Sequence, residues 1–136
     1  MTHFEIFQYP LVIKEQHLDF FGHVNNATYL EILEEARWEF VTARGFGLET
    51  IYKLGTGPVI LECHLKFIKE LRVRQVITIE TQLLTYDKKI GSLRQTILNE
   101  QGEVCCEATM IFGLFCLKER KLILPSDAWL HAVGAI

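Results

Sequence analysis

The chain has 136 residues, 49% of them apolar, with a formal net charge of -3 and a pI near 5.9. That length supports one compact domain over residues 1–136 with a proper core, and the acidic balance argues against a nucleic-acid binder, which would normally carry a basic stripe. No apolar run approaches the roughly 18 residues of a membrane span, and Met1-Thr2-His3-Phe4-Glu5 lacks the basic and apolar regions of a secretion signal, so a cytoplasmic protein with no membrane partner is expected.

Phe4 to Glu15 reads as an extended segment, with Pro10 marking an edge, bulge or bend because proline cannot donate to a ladder. A loop through Leu18-Asp19-Phe20-Phe21-Gly22-His23-Val24 follows. From Ala27 to Arg44, Tyr29, Leu33, Ala36, Phe40 and Ala43 fall on one helical stripe, with Glu31, Glu34, Glu35 and Glu39 largely opposite. This predicts a helical rod of about 27 Å. Asn25 and Asn26 are candidate N-caps, Thr28 with Glu31 offers an alternative capping box, and Gly45 supplies a stop.

Leu48 to Leu54 forms a short connection of helical character, closed by Gly55-Thr56-Gly57-Pro58. The period then changes to two. Val59, Leu61, Cys63, Leu65 and Phe67 alternate with Ile60, Glu62, His64, Lys66 and Ile68, and Ile77, Ile79, Thr81 and Leu83 form one face of a second run. Tyr86 to Lys89 predicts a turn, Leu93 to Asn99 a third run, Asn99 to Gly102 another turn, and Val104 to Leu117 a long strand. The segment around Pro125 and Asp127 is either a short helix or a tail. One strand, a long helix and four strands on short turns describe an α+β fold, a largely antiparallel sheet packed on one main helix. Ile60 and Ile68 fall on the second strand face, so homo-oligomerisation is expected to cover it.

Asp19 is the candidate catalytic group. It lies in a Gly-containing loop just before the helix, where unpaired backbone N–H groups and the positive end of the helix dipole suit a carbonyl that becomes an oxyanion. Asp also occupies such loops for purely local reasons. Gly22 fits a tight turn or a close ligand approach. His23 is able to bind substrate or to satisfy loop backbone. Asn25 and Asn26 read as caps whose N–H groups could form the oxyanion site, and Tyr29 as core packing.

Other chemistries find less support. The two serines, Ser92 and Ser126, lie in no nucleophile-elbow motif. Cys63 and His64 are neighbours on a strand and point to opposite faces. Cys105 and Cys106 are adjacent, which fits reduced thiols better than two disulfides. The histidines His3, His17, His23, His64 and His131 are scattered, with no CxxC or HExxH, so no metal is expected. Basic groups at Lys66, Lys69, Arg72 and Arg74, at Lys88 and Lys89, and at Lys118, Arg120 and Lys121 read as solvated turns or as phosphate contacts.

Tyr9-Pro10, Asp19 with Gly22, His23-Val24-Asn25-Asn26 with Tyr29, Glu35-Ala36-Arg37 and Gly57-Pro58 together resemble the hot-dog-fold acyl-CoA thioesterases of the 4-hydroxybenzoyl-CoA thioesterase type. The resemblance implies a five-stranded antiparallel sheet wrapped around one long helix, and a homodimer or homotetramer with active sites between subunits. It also implies hydrolysis of an acyl-CoA thioester without a cofactor. By it, Asp19 is the catalytic aspartate, as base or nucleophile, and the N–H at Asn26 polarises the thioester carbonyl, with a second donor near Gly57. Gly22, His23, Asn25 and Tyr29 complete the expected substrate site. This chain departs from many relatives in having His17-Leu18 where an acid and a threonine precede the aspartate, and Leu71-Arg72-Val73-Arg74 in place of Gly-Asp. Two other functions stay open: an enoyl-CoA hydratase or dehydratase using Asp19 and His23, and a non-catalytic module binding acyl-CoA or an acyl carrier.

Overall fold

A computed structural model describes residues 4–136; His3 and the rest of the N-terminal tripeptide lie outside the described residues. The elements run β1 (Ile6–Val12), a 3-10 turn at Glu15–His17, α1 (Asn26–Ala43), α2 (Leu48–Leu54), β2 (Thr56–Phe67), β3 (Val76–Asp87), β4 (Ile90–Leu98), β5 (Val104–Cys116), β6 (Lys121–Ile123) and α3 (Asp127–Ala132). Five long strands are ordered β1-β3-β4-β5-β2, every neighbouring pair antiparallel, and the short β6 adds to β5. The sheet therefore has six strands rather than five. β6 was not anticipated because three residues carry too little alternation to stand out.

The period of each segment determines its place. Ile77, Ile79, Thr81 and Leu83 of β3 share one buried face, as their spacing of two requires. On α1, Tyr29, Ile32, Leu33, Ala36, Phe40 and Val41 are buried, and Glu31, Glu34, Glu35 and Glu39 are exposed. Ala43, expected on the buried stripe, is exposed in the last turn. Helix and sheet enclose one continuous core that includes Phe46, Leu71, Ile97, Met110 and Leu114.

Pro10 sits on the edge strand β1, opposite Thr78, where no ladder donor is lost. At the other edge stands β2, whose residues Ile60 to His64 and Lys66 to Phe67 are exposed. A bulge between Ile60 and Glu62 interrupts its alternation, so the two faces read from its sequence are not cleanly separated. The β3–β4 turn narrows to Lys88-Lys89. Its Lys89 carbonyl comes so near Gly113 that a Cβ there would stand 2.7 Å from the oxygen.

One polar network crosses the core. Gln95 is fully buried, and its Nε2 donates to the Leu33 carbonyl and to Thr81 Oγ1, both at 3.0 Å, while its Oε1 accepts from Arg37 Nη1 at 2.9 Å. Near the C-terminus, Ser126 caps α3 through Trp129 N. The Trp129 ring then packs edge-on against Phe46 and Phe112, and its Nε1 donates to Tyr86 Oη at 3.0 Å.

Candidate active site

The loop from Leu18 to Val24 is closed by a bridge between those two residues and by the Asp19 N–H, which donates to the His23 carbonyl at 2.8 Å. Gly22 N donates to the Asp19 carbonyl at 3.1 Å, a four-residue turn ending on a glycine at φ +75°. That left-handed conformation is the physical reason for glycine there. Asp19 Oδ1 accepts from Phe21 N at 2.9 Å and from His23 N at 3.1 Å. Both bonds fall on one oxygen, and Oδ2 takes no hydrogen bond from the described residues. The carboxylate is thus fixed in direction and half available.

Helix α1 begins at Asn26, with Asn25 extended in the N-cap position. The Asn25 side chain makes no capping bond; its backbone carbonyl accepts from Thr28 N and Tyr29 N instead. Asn26 Oδ1 accepts from Ala27 N at 2.8 Å. The side-chain caps expected at Asn25 and at Thr28 with Glu31 are therefore absent, because Thr28 already lies inside the first turn. Asn26 N–H meets no acceptor among the described residues, which leaves one open donor at the positive end of the helix.

Beside that end lies a cleft of about 300 Å³ whose walls include His23, Asn26, Tyr29, Phe67, Ile68 and Glu70. Of the expected residues, the structure brings His23, Asn26 and Tyr29 together here. Asp19 is not a wall residue, but it is bonded to His23 N–H, which belongs to one. Tyr29 is buried, as its place on the stripe required, and its ring meets Phe67 edge-on at 5.0 Å; burial pushes its phenol pKa up. Gly57 lies apart. It is buried at the opposite end of β2, against Ile51.

The side chain facing His23 is not that of Asp19 but of Glu70, whose Oε1 lies 2.7 Å from His23 Nδ1. Glu70 went unnoticed in the sequence because it stands 47 residues away. Its one signal was an acid within an otherwise basic stretch from Lys66 to Arg74. Asp19 and His23, the pair that motivated a hydratase, are joined through the His23 N–H, while their side chains are bonded to different groups.

A second, apolar cavity of about 110 Å³ lies farther along α1, with Trp38, Val41, Ile60, Leu93 and Phe112 among its walls. Arg37 also reaches it, and burial lowers the pKa of that guanidinium. Both hollows have α1 on one side and β2 on the other, the first at the start of α1 and end of β2, the second at the reverse ends.

A family model for the thioesterase-like superfamily matches residues 13–133. The chain belongs to that superfamily. It is 32% identical to the long-chain acyl-CoA thioesterase FadM of Escherichia coli over 118 residues, 85% of this chain and 88% of FadM. The crystal structure of YbaW, a probable thioesterase of Escherichia coli, superposes with a TM-score of 0.81 at 28% identity, covering 94% of this chain and 96% of YbaW. A Staphylococcus aureus protein, SAV2348, solved in complex with CoA, superposes with a TM-score of 0.88 at 19% identity, covering 98% of this chain and 84% of that one. The resemblance read from Asp19 to Tyr29 is borne out at the level of the hot-dog thioesterases, and the chain is a thioester hydrolase of that fold. Among the described residues of this thioesterase, no helix is long and apolar enough to cross a membrane.

Proposed function

We propose that this thioesterase hydrolyses an acyl-CoA thioester to a carboxylic acid and free CoA, with Asp19 as the catalytic base or nucleophile. The observation that carries the reading is the state of Asp19. One carboxylate oxygen is held by two backbone N–H groups while the other is free, on the loop that supplies His23 to the cleft. In the same cleft the open N–H of Asn26 would hold the thioester oxygen as it gains charge, worth on the order of a hundredfold in rate. Gly22 gives the loop its turn, Asn25 starts the helix through its carbonyl, and Tyr29 forms an apolar wall. This chemistry requires neither cofactor nor metal. FadM, named for long-chain acyl-CoA hydrolysis, and SAV2348, solved with CoA, support a CoA ester as the substrate class.

The acyl chain would run from the cleft along α1 into the apolar cavity. From Tyr29 to Trp38 the helix advances about 14 Å, and the walls at the far end are mostly apolar, with Glu34 and Arg37 the charged exceptions.

The working form would be a homodimer, on which a tetramer can be built. The exposed edge of β2 has unpaired backbone groups and carries Leu61 and Phe67. Antiparallel pairing of two β2 strands about their midpoint sets Thr56 and Gly57 of one copy beside Lys66 and Phe67 of the other. Gly57 would then reach the cleft from the second subunit, which accounts for its distance from the cleft within one chain. Phe20 and Phe21 are further exposed apolar side chains, on the loop that carries Asp19. Cytoplasmic placement agrees with buried thiols at Cys105 and Cys106, the latter pushed by burial to a pKa of about 11.

The test is thiol release from a panel of aromatic, short-chain and long-chain CoA esters by the wild type and by Asp19→Asn. Release by the wild type and its loss in the variant are expected; equal rates would remove Asp19 from the chemistry. Binding of CoA esters with no release across the panel would instead favour a non-catalytic module.

A further inference from the structure

Glu70 lies outside the motif that marks the loop, yet it is held where it faces His23. Immediately before it, Ile68 N and Lys69 N both donate to the Cys105 carbonyl, at 2.9 and 3.0 Å. The Lys69 ammonium pairs with Glu103 at 2.6 Å. Immediately after it, Leu71 is fully buried. His23 is braced separately, by the Leu18–Val24 bridge and by Asp19 Oδ1 on its own N–H. Two independently pinned stretches of backbone therefore present the 2.7 Å contact on the wall of the cleft, with both side chains about half exposed to solvent.

A carboxylate only accepts hydrogen bonds, so the contact makes Nδ1 the proton-bearing nitrogen and leaves the lone pair of neutral His23 on Nε2. We propose that Glu70 is a positioning residue that holds His23 in this tautomer, and that His23 Nε2 is the base for the water step of thioester hydrolysis. The proposal rests on the thioesterase reading and divides its labour between two side chains. Asp19 oxygen adds to the thioester carbon, and the C–S bond breaks with its electron pair on sulfur, leaving the acyl group joined to Asp19 as an anhydride. Water then adds to the acyl carbon while one of its protons passes to Nε2. The bond to the Asp19 oxygen breaks with its pair on the carboxylate, which frees the carboxylic acid. Nε2 gives its proton to the thiolate, and the enzyme is restored.

Glu70→Gln keeps the shape of the side chain but removes its charge, and an amide can either accept from or donate to Nδ1, so the tautomer is no longer fixed. In Glu70→Gln and in His23→Gln, thiol release should become biphasic: a burst of one thiol per active site, then a steady rate about a hundredfold below wild type. Glu70→Asp should recover part of the steady rate. The ring nitrogens of His23, read by 15N NMR and assigned through His23→Gln, should show a proton on Nδ1 in the wild type and a mixture of the two tautomers in Glu70→Gln. Linear release without a burst in both variants, or a His23 ring spectrum unmoved by Glu70→Gln, overturns the proposal. A wild type that releases no thiol from any ester overturns the thioesterase reading and the catalytic half of this one together, while the ring spectrum still reads the tautomer on its own.

Discussion

Tyr9 on β1 donates its phenolic hydrogen to Glu35 on α1 across 2.5 Å, joining an edge strand to the helix that the sheet surrounds. The hydrogen bond to Glu35, then burial, pushes the Tyr9 pKa up to about 12. The unfolded phenol releases its proton near the ordinary value of 10. The folded chain thus keeps a proton that the unfolded chain has lost. The stabilisation is complete below pH 10 and disappears as pH rises through about 12. Glu35→Gln should bring one of the four tyrosine titrations, followed by ultraviolet absorbance, back towards 10. Denaturant melts of wild type and Tyr9→Phe should differ by about 1 kcal/mol at pH 8 and converge at strongly alkaline pH. A constant difference across that range would mean the phenol proton is not what is lost.

Asp19→Asn should leave the fold intact. An amide oxygen can still accept from Phe21 N and His23 N, so the turn ending at Gly22 keeps its bonds. The melting temperature is expected within a few degrees of wild type, while turnover falls at least about a hundredfold. A variant that unfolds instead would show that the carboxylate serves the loop rather than the chemistry.

The buried amide of Gln95 serves three partners at once, so Gln95→Ala deserts a guanidinium, a hydroxyl and a helix carbonyl in the core. A loss of about 3 kcal/mol is expected in chemical denaturation. Thr81→Ala should cost less, since it removes one bond and leaves the other two. Equal losses would mean that the network acts only through Thr81.

Sedimentation should give a mass of at least twice the 15.7 kDa chain. Leu61→Lys places a charge on the exposed strand β2 and should yield monomers that melt separately and lack thioesterase activity. Activity retained in a monomer would show that no part of the site comes from a second copy.

A fifth expectation concerns Gly113, where an added Cβ would press on the Lys89 carbonyl, a backbone atom with little room to retreat. Gly113→Ala should destabilise by about 1–3 kcal/mol in thermal unfolding. Gly102→Ala is the control: nothing lies within 4 Å of its Cβ, and only the strain of φ +78° is added.

Much of this architecture was legible because local period and tertiary environment agree. The stripe from Tyr29 to Phe40 and the alternation of Ile77, Ile79, Thr81 and Leu83 each named the face that is buried. Leu48 to Leu54 is helical as read, and the Asn99 to Gly102 turn is where its residues place it. Hydrogen-bond partners were less accessible. Asn25 has the right residue type for a side-chain cap, but its carbonyl does the work. His23 and Asp19 are close in sequence, yet their side chains are held by different groups, one of them 47 residues distant. The bulge after Ile60 is likewise invisible to a strict period of two. Periodicity reports which face is dry; it does not report who meets whom across the sheet.

Trp129 fills the base of the apolar hollow while anchored to Tyr86 Oη, and Arg44 holds the following turn through the carbonyls of His131 and Ile136. On the proposed path of the acyl chain, α3 would act as a stopper, and the depth available to a hydrocarbon tail would depend on how firmly it is seated. Loosening that anchor should lengthen the range of chains accepted without touching any group that performs the reaction.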